Sequence, residues 1–139
     1  MPGLAWAIGR PDLHVTLIEP LLRRSSFLER AVVQLALHGR VEVLRSRAED
    51  VPRTRRWDVV TARAVAPLDR LLGWTIPLTR PGGMVLALKG AAAQDELQAA
   101  RPAMERLRTG RARIELCGGD YSATPTRVVV VPRSPIDRG

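Results

Sequence analysis

Apolar residues along this chain fall into two alternating rhythms. Met1–Gly9 has helical character and is ended by Pro11-Asp12. His14–Glu19, HVTLIE, is short and rich in β-branched residues, which predicts a strand. Leu21–His38 sets Leu21, Leu22, Phe27, Leu28, Ala31, Val32 and Leu35 at helical spacing, so a helix closed by Gly39 is expected there. Val41–Leu44 reads as a second strand, followed by the polar loop Arg45–Arg56. Trp57–Ala62, WDVVTA, predicts a third strand, and Pro67–Leu78 a helix interrupted near Pro77. Arg80–Gly83 reads as a turn and Met84–Leu88 as a fourth strand. Ala91–Arg108 is mostly helical, with a break expected at Pro102. Arg113–Cys117 and Arg127–Val131 are the last strands, joined by a Gly/Ser/Pro-rich loop, and SPIDRG reads as a frayed tail.

Strands separated by helical segments of this length imply right-handed βαβ crossovers and a parallel sheet. The last two strands have no helix between them and are expected to pair as an antiparallel edge hairpin. The predicted class is α/β, a mostly parallel sheet with a C-terminal antiparallel hairpin. The expected organisation is one domain over residues 1–133 and a flexible tail over 134–139.

Composition changes this picture little. No apolar run approaches the roughly 20 residues of a membrane-spanning helix, and Met1–Arg10 carries no basic leader of a secretory signal. The one cysteine, Cys117, cannot form an internal disulfide, which fits a reducing cytoplasm. His14, His38 and Cys117 make no metal-ligand spacing, and no Ser-His-Asp arrangement is suggested. The formal net charge is +8, with Lys89 the one lysine among 22 basic residues. Arginine in this proportion fits either a solvated surface in a GC-rich genome or a polyanionic partner.

In open α/β sheets a ligand lies beyond the carboxyl ends of the strands, so each strand end is a candidate position. Glu19 ends the first strand, where a carboxylate can accept from ribose hydroxyls; the alternative is a carboxylate serving a helix N-terminus. Ala48-Glu49-Asp50 follows the second strand. There a backbone N–H can meet a ring nitrogen while a carboxylate accepts from an exocyclic amine; an ordinary acidic loop is the alternative. Arg63 ends the third strand and could bind a carboxylate or phosphate, or form an ion pair with Asp58 or Asp69. Lys89 ends the fourth strand in LALKG. In a chain that otherwise uses arginine, a compact ammonium at that place suggests a role, although chance survival on the surface would also explain it.

Taken in order, these pieces resemble the ribosomal RNA small subunit methyltransferase G family, also called glucose-inhibited division protein B. The resemblance rests on PGLAWAIGRPDLHVTLIEPLLRRSSFLE, SRAED, WDVVTARAVAPLDRLLGW and RPGGMVLALKG, which lie between Pro2 and Gly90. Within them R-x-x-FL, RAE, [ST]-x-RA and PGG…LKG are the specific signals. The resemblance implies a class I methyltransferase fold, S-adenosylmethionine as cofactor, and methylation of guanine-N7 in 16S ribosomal RNA of the 30S subunit. It implies that Ala48 and Glu49 contact the adenosine, that Arg63 belongs to the cofactor site and that Glu19 stands at the ribose. Lys89 matches the lysine of LKG, in a substrate-side or electrostatic role; with Arg23 and Arg24 it forms the set of RNA-facing candidates. A cytoplasmic monomer with no metal is expected. Guanine N7 carries no proton, so no general base, and no catalytic side chain, is expected.

One departure from the family pattern bears on these expectations. Family members carry a strand and turn of the form D-x-G-[ST]-G-x-G-[LF]-P-G. Here only Pro2-Gly3 of it remains, with Met1 at the Leu/Phe position. The expectation is therefore an incomplete, impaired form lacking the first strand and glycine-rich turn, which would fold poorly. The competing reading is a non-catalytic fragment that binds RNA weakly through its arginines. A nicotinamide-dependent oxidoreductase is disfavoured by the PGG…LKG ending and the terminal hairpin.

Overall fold

The computed structural model describes residues 2–63, 66–117 and 126–135. Met1, Ala64, Val65, the Gly/Ser/Pro-rich loop over 118–125 and most of the expected tail, 136–139, lie outside the described residues. The chain divides into two compact units, Met1–Val51 and Pro52–Gly139, each with its own apolar cluster.

In the first unit, helix α1 (Pro2–Gly9) leads to strand β1 (Val15–Ile18), helix α2 (Leu22–Gln34) and strand β2 (Val41–Leu44). β1 and β2 pair in parallel, with Val15 opposite Val41 and Ile18 opposite Leu44. Ala7, Leu17, Leu28, Val32, Leu37 and Val41 form the core. Leu28 and Val32 lie one helical turn apart, as the spacing requires. The arginine just before β2 supports α1: Arg40 Nη1 donates to the carbonyls of Ala7 (3.0 Å), Arg10 (3.2 Å) and Leu13 (3.4 Å). Carbonyls at a helix end lack intrahelical donors, and a guanidinium there also faces the negative end of the helix dipole.

α2 stops earlier than its apolar spacing predicts, and Gly39 does not close it. Ala36 takes the left-handed conformation, with φ 56°. The Leu37 N–H then reaches back to Val32 O at 2.8 Å and the Ala36 N–H to Val33 O at 3.1 Å. This is a Schellman-type ending, and the buried Leu37 packs into the same core as Val32. Burial of Leu37 therefore outweighs the preference for glycine in this conformation.

In the second unit, strand β3 (Trp57–Arg63) is followed by helix α3 (Leu68–Thr75) and a 3-10 turn, Ile76–Leu78. Next come strand β4 (Thr79–Lys89), helices α4 (Ala93–Ala99) and α5 (Arg101–Leu107), and strands β5 (Arg113–Cys117) and β6 (Thr126–Pro132). The sheet order is β3-β4-β6-β5. β3 and β4 are parallel, whereas β6 runs antiparallel to both β4 and β5. The expected hairpin is present, with β6 as its inner strand. Both proline breaks fall where expected: α3 gives way to the 3-10 turn at Pro77, and α4 and α5 meet at Ala100, just before Arg101-Pro102.

Arg80–Gly83, expected as a turn, is absorbed into β4 as a wide irregularity. Trp57 pairs with Thr79 but Val59 pairs with Met84, so β4 carries the extra residues. Gly82 supplies a left-handed φ of 83°. A Cβ on Gly83 would collide with the carbonyl oxygen of Asp58. Two glycines thus serve two needs, one conformational and one steric. Beyond the bulge, Val85 and Ala87 face α3, α4 and α5, joined by Leu68, Leu71, Leu72, Val129 and Val131.

Candidate functional site

In the first unit, parallel pairing brings Glu19 and the Ala48–Asp50 segment to the same end of the β1–β2 sheet. The Glu19 N–H extends the ladder to Leu44 O at 3.0 Å. Its carboxylate turns onto the chain ahead: Oε1 accepts the N–H of Leu21, the N-cap residue of α2, at 3.2 Å. Leu21 has no side-chain oxygen with which to cap, so Glu19 serves the helix start. Oε2 has no partner among the described residues, and the group is only half-buried. Helix support and ligand acceptance are thus compatible in one carboxylate.

Within the polar loop, Ala48–Asp50 forms a 3-10 turn that sequence reading did not anticipate. The turn sorts its two carboxylates. Arg47 Nε donates to Asp50 Oδ2 at 2.9 Å, which raises the Arg47 pKa through that hydrogen bond and the charges of Asp50 and Glu49. Glu49 is exposed and makes no hydrogen bond or salt bridge among the described residues. The Asp50 N–H is used by Arg47 O, whereas the N–H groups of Ala48 and Glu49 have no acceptor among the described residues, as the first donors of a helical turn do not. An unused donor pair beside an unused carboxylate suits the edge of an adenine ring.

Arg23 and Arg24 lie in the first turn of α2, outside its buried face of Ser25, Leu28 and Val32. Both are exposed and make no ion pair among the described residues. Phe27, 60% exposed, and Arg30 extend this surface.

In the second unit, Arg63 and Lys89 end adjacent strands. Arg63 is paired in register with Leu88 and shares its face. It is exposed, and neither expected counterion engages it. Asp58 Oδ1 receives Arg80 at 3.1 Å, and Asp69 Oδ1 receives the backbone N–H of Arg70 at 2.8 Å. Two residues before Arg63 on the same face, the Thr61 hydroxyl is buried without a hydrogen-bond partner among the described residues. In the sequence Thr61 stands out only as the first residue of [ST]-x-RA; its position and small polar group are the available signal. Lys89 follows the opposite alternation, with Val85 and Ala87, and turns toward the helices. Its side chain is 4% exposed, and Nζ donates to Glu96 Oε1 at 2.7 Å and to Ala66 O at 2.9 Å. Glu96 was not singled out in the sequence, where it looks like one more acidic residue of a helical first turn.

In the first unit, donors at Ala48 and Glu49 and acceptors at Glu19 and Glu49 fit the polar groups of a nucleoside; in the second, Arg63, with no ion pair among the described residues, fits a carboxylate or phosphate. The fold agrees. An S-adenosylmethionine-dependent methyltransferase, SibL, superposes with TM-score 0.74 at 17% identity, over 94% of this chain and 46% of that one. A 16S rRNA (adenine(1408)-N(1))-methyltransferase from Catenulisporales acidiphilia, as its W203A mutant, gives 0.69 at 14% identity, over 99% of this chain and 82% of that one. The architecture is therefore the α/β class I fold of S-adenosylmethionine-dependent methyltransferases. Residues 1–123 match the family model for rRNA small subunit methyltransferase G. The chain belongs to that family, whose cofactor is S-adenosylmethionine. It is 52% identical over 131 residues to the ribosomal RNA small subunit methyltransferase G of a Nocardioides species, and 48% identical over 141 residues to that of Salinispora tropica. These alignments cover 94% and 96% of this chain but 52% and 57% of the relatives. The chain thus spans about half the length of the curated relatives it matches.

Proposed function

We propose that the protein takes part in S-adenosylmethionine-dependent methylation of guanine-N7 in 16S ribosomal RNA, in the cytoplasm, on the 30S subunit. Family membership supports the RNA substrate. The observation that carries the cofactor reading is the Ala48–Asp50 turn, where two N–H donors and the Glu49 carboxylate make no hydrogen bond among the described residues. On this reading Ala48 and Glu49 hold the adenine edge, Glu19 accepts from the ribose with its second oxygen, and Arg63 meets the carboxylate of the amino-acid part. S-adenosylmethionine, when bound, supplies the sulfonium methyl group. The side chains named here orient and bind; none holds or moves a proton, because guanine N7 has none to lose. Proximity and alignment are the protein's contribution. Arg23 and Arg24, with Arg30 and Phe27 exposed on the same helix, offer cations and an aromatic face to RNA.

The test has two measurements: calorimetric titration with S-adenosylmethionine, and transfer of labelled methyl to 30S particles from cells lacking the modification, mapped by cleavage at N7-methylguanine. Cofactor binding and label at one guanine N7 are the expected results. Label at another atom would overturn the guanine-N7 reading. Transfer by a form of the relatives' full length, with none by the 139-residue chain, would assign the activity to the longer form.

A further inference from the structure

The end of β4 holds a polar cluster that the proposed chemistry does not use. Lys89 Nζ, buried, lies 2.7 Å from Glu96 Oε1 on α4 and 2.9 Å from the carbonyl oxygen of Ala66. The same Glu96 oxygen accepts the backbone N–H of Leu68, the first residue of α3, at 3.2 Å. α3 begins after Pro67, which has no side-chain acceptor, and the helix has no cap of its own. A carboxylate from another helix therefore caps it, and Lys89 neutralises that carboxylate while tying down the carbonyl two residues upstream. Each charge makes the other tolerable away from water.

The consequence lies in the chain that follows Arg63. Arg63 is held in register opposite Leu88, and Ala66 is held by the side chain of Lys89, the next residue of β4. Arg63 and Ala66, three residues apart in sequence, are thus each tied to one of two consecutive residues of the same strand. We propose that Glu96 and Lys89 are a positioning pair that fixes Ala66 and the start of α3 and, resting on the cofactor reading above, keeps Arg63 oriented for the cofactor. Lys89 then acts on the protein backbone, and RNA phosphate is not its partner.

Hydrogen exchange resolved at single amides tests the pair directly. Glu96→Ala should speed exchange of the Leu68 amide about tenfold or more, while Val129 and Val131 in the sheet centre keep their protection. Glu96→Gln, which retains an acceptor oxygen, should recover part of the Leu68 protection. Unchanged exchange at Leu68 in Glu96→Ala would overturn the cap, and equal acceleration at Val129 and Val131 would reduce it to global destabilisation. A second arm titrates S-adenosylmethionine into the parent and both variants. The dissociation constant should rise severalfold in Glu96→Ala and less in Glu96→Gln. A parent that binds with an affinity the variants share would overturn the positioning role. A parent that binds no cofactor would overturn the proposed function and with it that role, while the exchange result still decides whether the cap exists.

Discussion

Arg63 and Lys89 end neighbouring parallel strands on opposite faces of one sheet. Arg63 shares the face of its register partner Leu88, and Lys89 shares that of Val85 and Ala87, against the helices. The two strand-end cations are therefore not equivalent, although sequence position made them look so. Arg63→Ala should weaken S-adenosylmethionine binding by about 1.5–3 kcal/mol, as for a hydrogen bond to a charged group, with the melting temperature unchanged. Lys89→Met should do the reverse first: it leaves Glu96 without its cation, at a cost of about 3 kcal/mol in folding, moderated because Glu96 is 28% exposed. Calorimetry beside thermal unfolding separates the two. A stable Lys89→Met that loses only RNA affinity would contradict this assignment.

The acidic residues of the first unit should also divide. Glu19→Ala and Glu49→Ala are each expected to cost about 1.5–3 kcal/mol of cofactor affinity. Asp50→Asn should leave it within about 0.5 kcal/mol, since Asp50 is turned to Arg47 and its exposed ion pair contributes little. Equal losses at Glu49 and Asp50 would mean that the turn does not distinguish its carboxylates.

Gly82 and Gly83 are adjacent but should respond differently to substitution. At Gly83 an added Cβ meets the Asp58 carbonyl oxygen, with Arg80 O and Thr79 Cγ2 each at 3.0 Å. Gly83→Ala should cost about 3 kcal/mol, the upper end for overpacking, because backbone must move. At Gly82 the nearest atom is Pro135 Cβ at 3.9 Å, so the cost is conformational, about 1–2 kcal/mol. Asn should be tolerated at Gly82 and not at Gly83. Urea unfolding of the three variants measures this; equal losses for both alanines would refute the steric account.

Ala36 offers a stabilising change. It holds a left-handed backbone at an exposed helix end, which glycine adopts without the Cβ penalty. Ala36→Gly should stabilise folding by about 0.5–1 kcal/mol, the relief exceeding the entropy that glycine adds to the unfolded chain. Gly39→Ala, at a position with nothing within 4 Å of the new methyl, should be neutral or mildly stabilising. A loss at Ala36→Gly would show that the helix end is not strained.

Local periodicity and punctuation determined most of the element order. β-branched runs marked β1 and β3, and Pro77 and Pro102 placed the two helix interruptions, because these residues constrain their own backbone wherever they stand. The lack of a helical pattern in the sequence between Cys117 and Arg127 was enough for the hairpin. Strand-end position was also enough to nominate Glu19, Ala48, Glu49, Arg63 and Lys89, since parallel α/β topology gathers ligands at that end. Tertiary structure decided what each of those groups touches. The choice between Gly39 and Ala36 as the helix end depended on burying Leu37, a contact with no local signature. The unfolding of the Arg80–Gly83 turn into a bulged strand depended on Asp58, distant in sequence. Glu96 became a helix cap only because α4 packs beside the start of α3, and Lys89 became a buried partner only because its register turns it inward. Spacing along the chain specifies which residues reach the end of a strand; which face they take, and which partner neutralises them there, follows from register and packing.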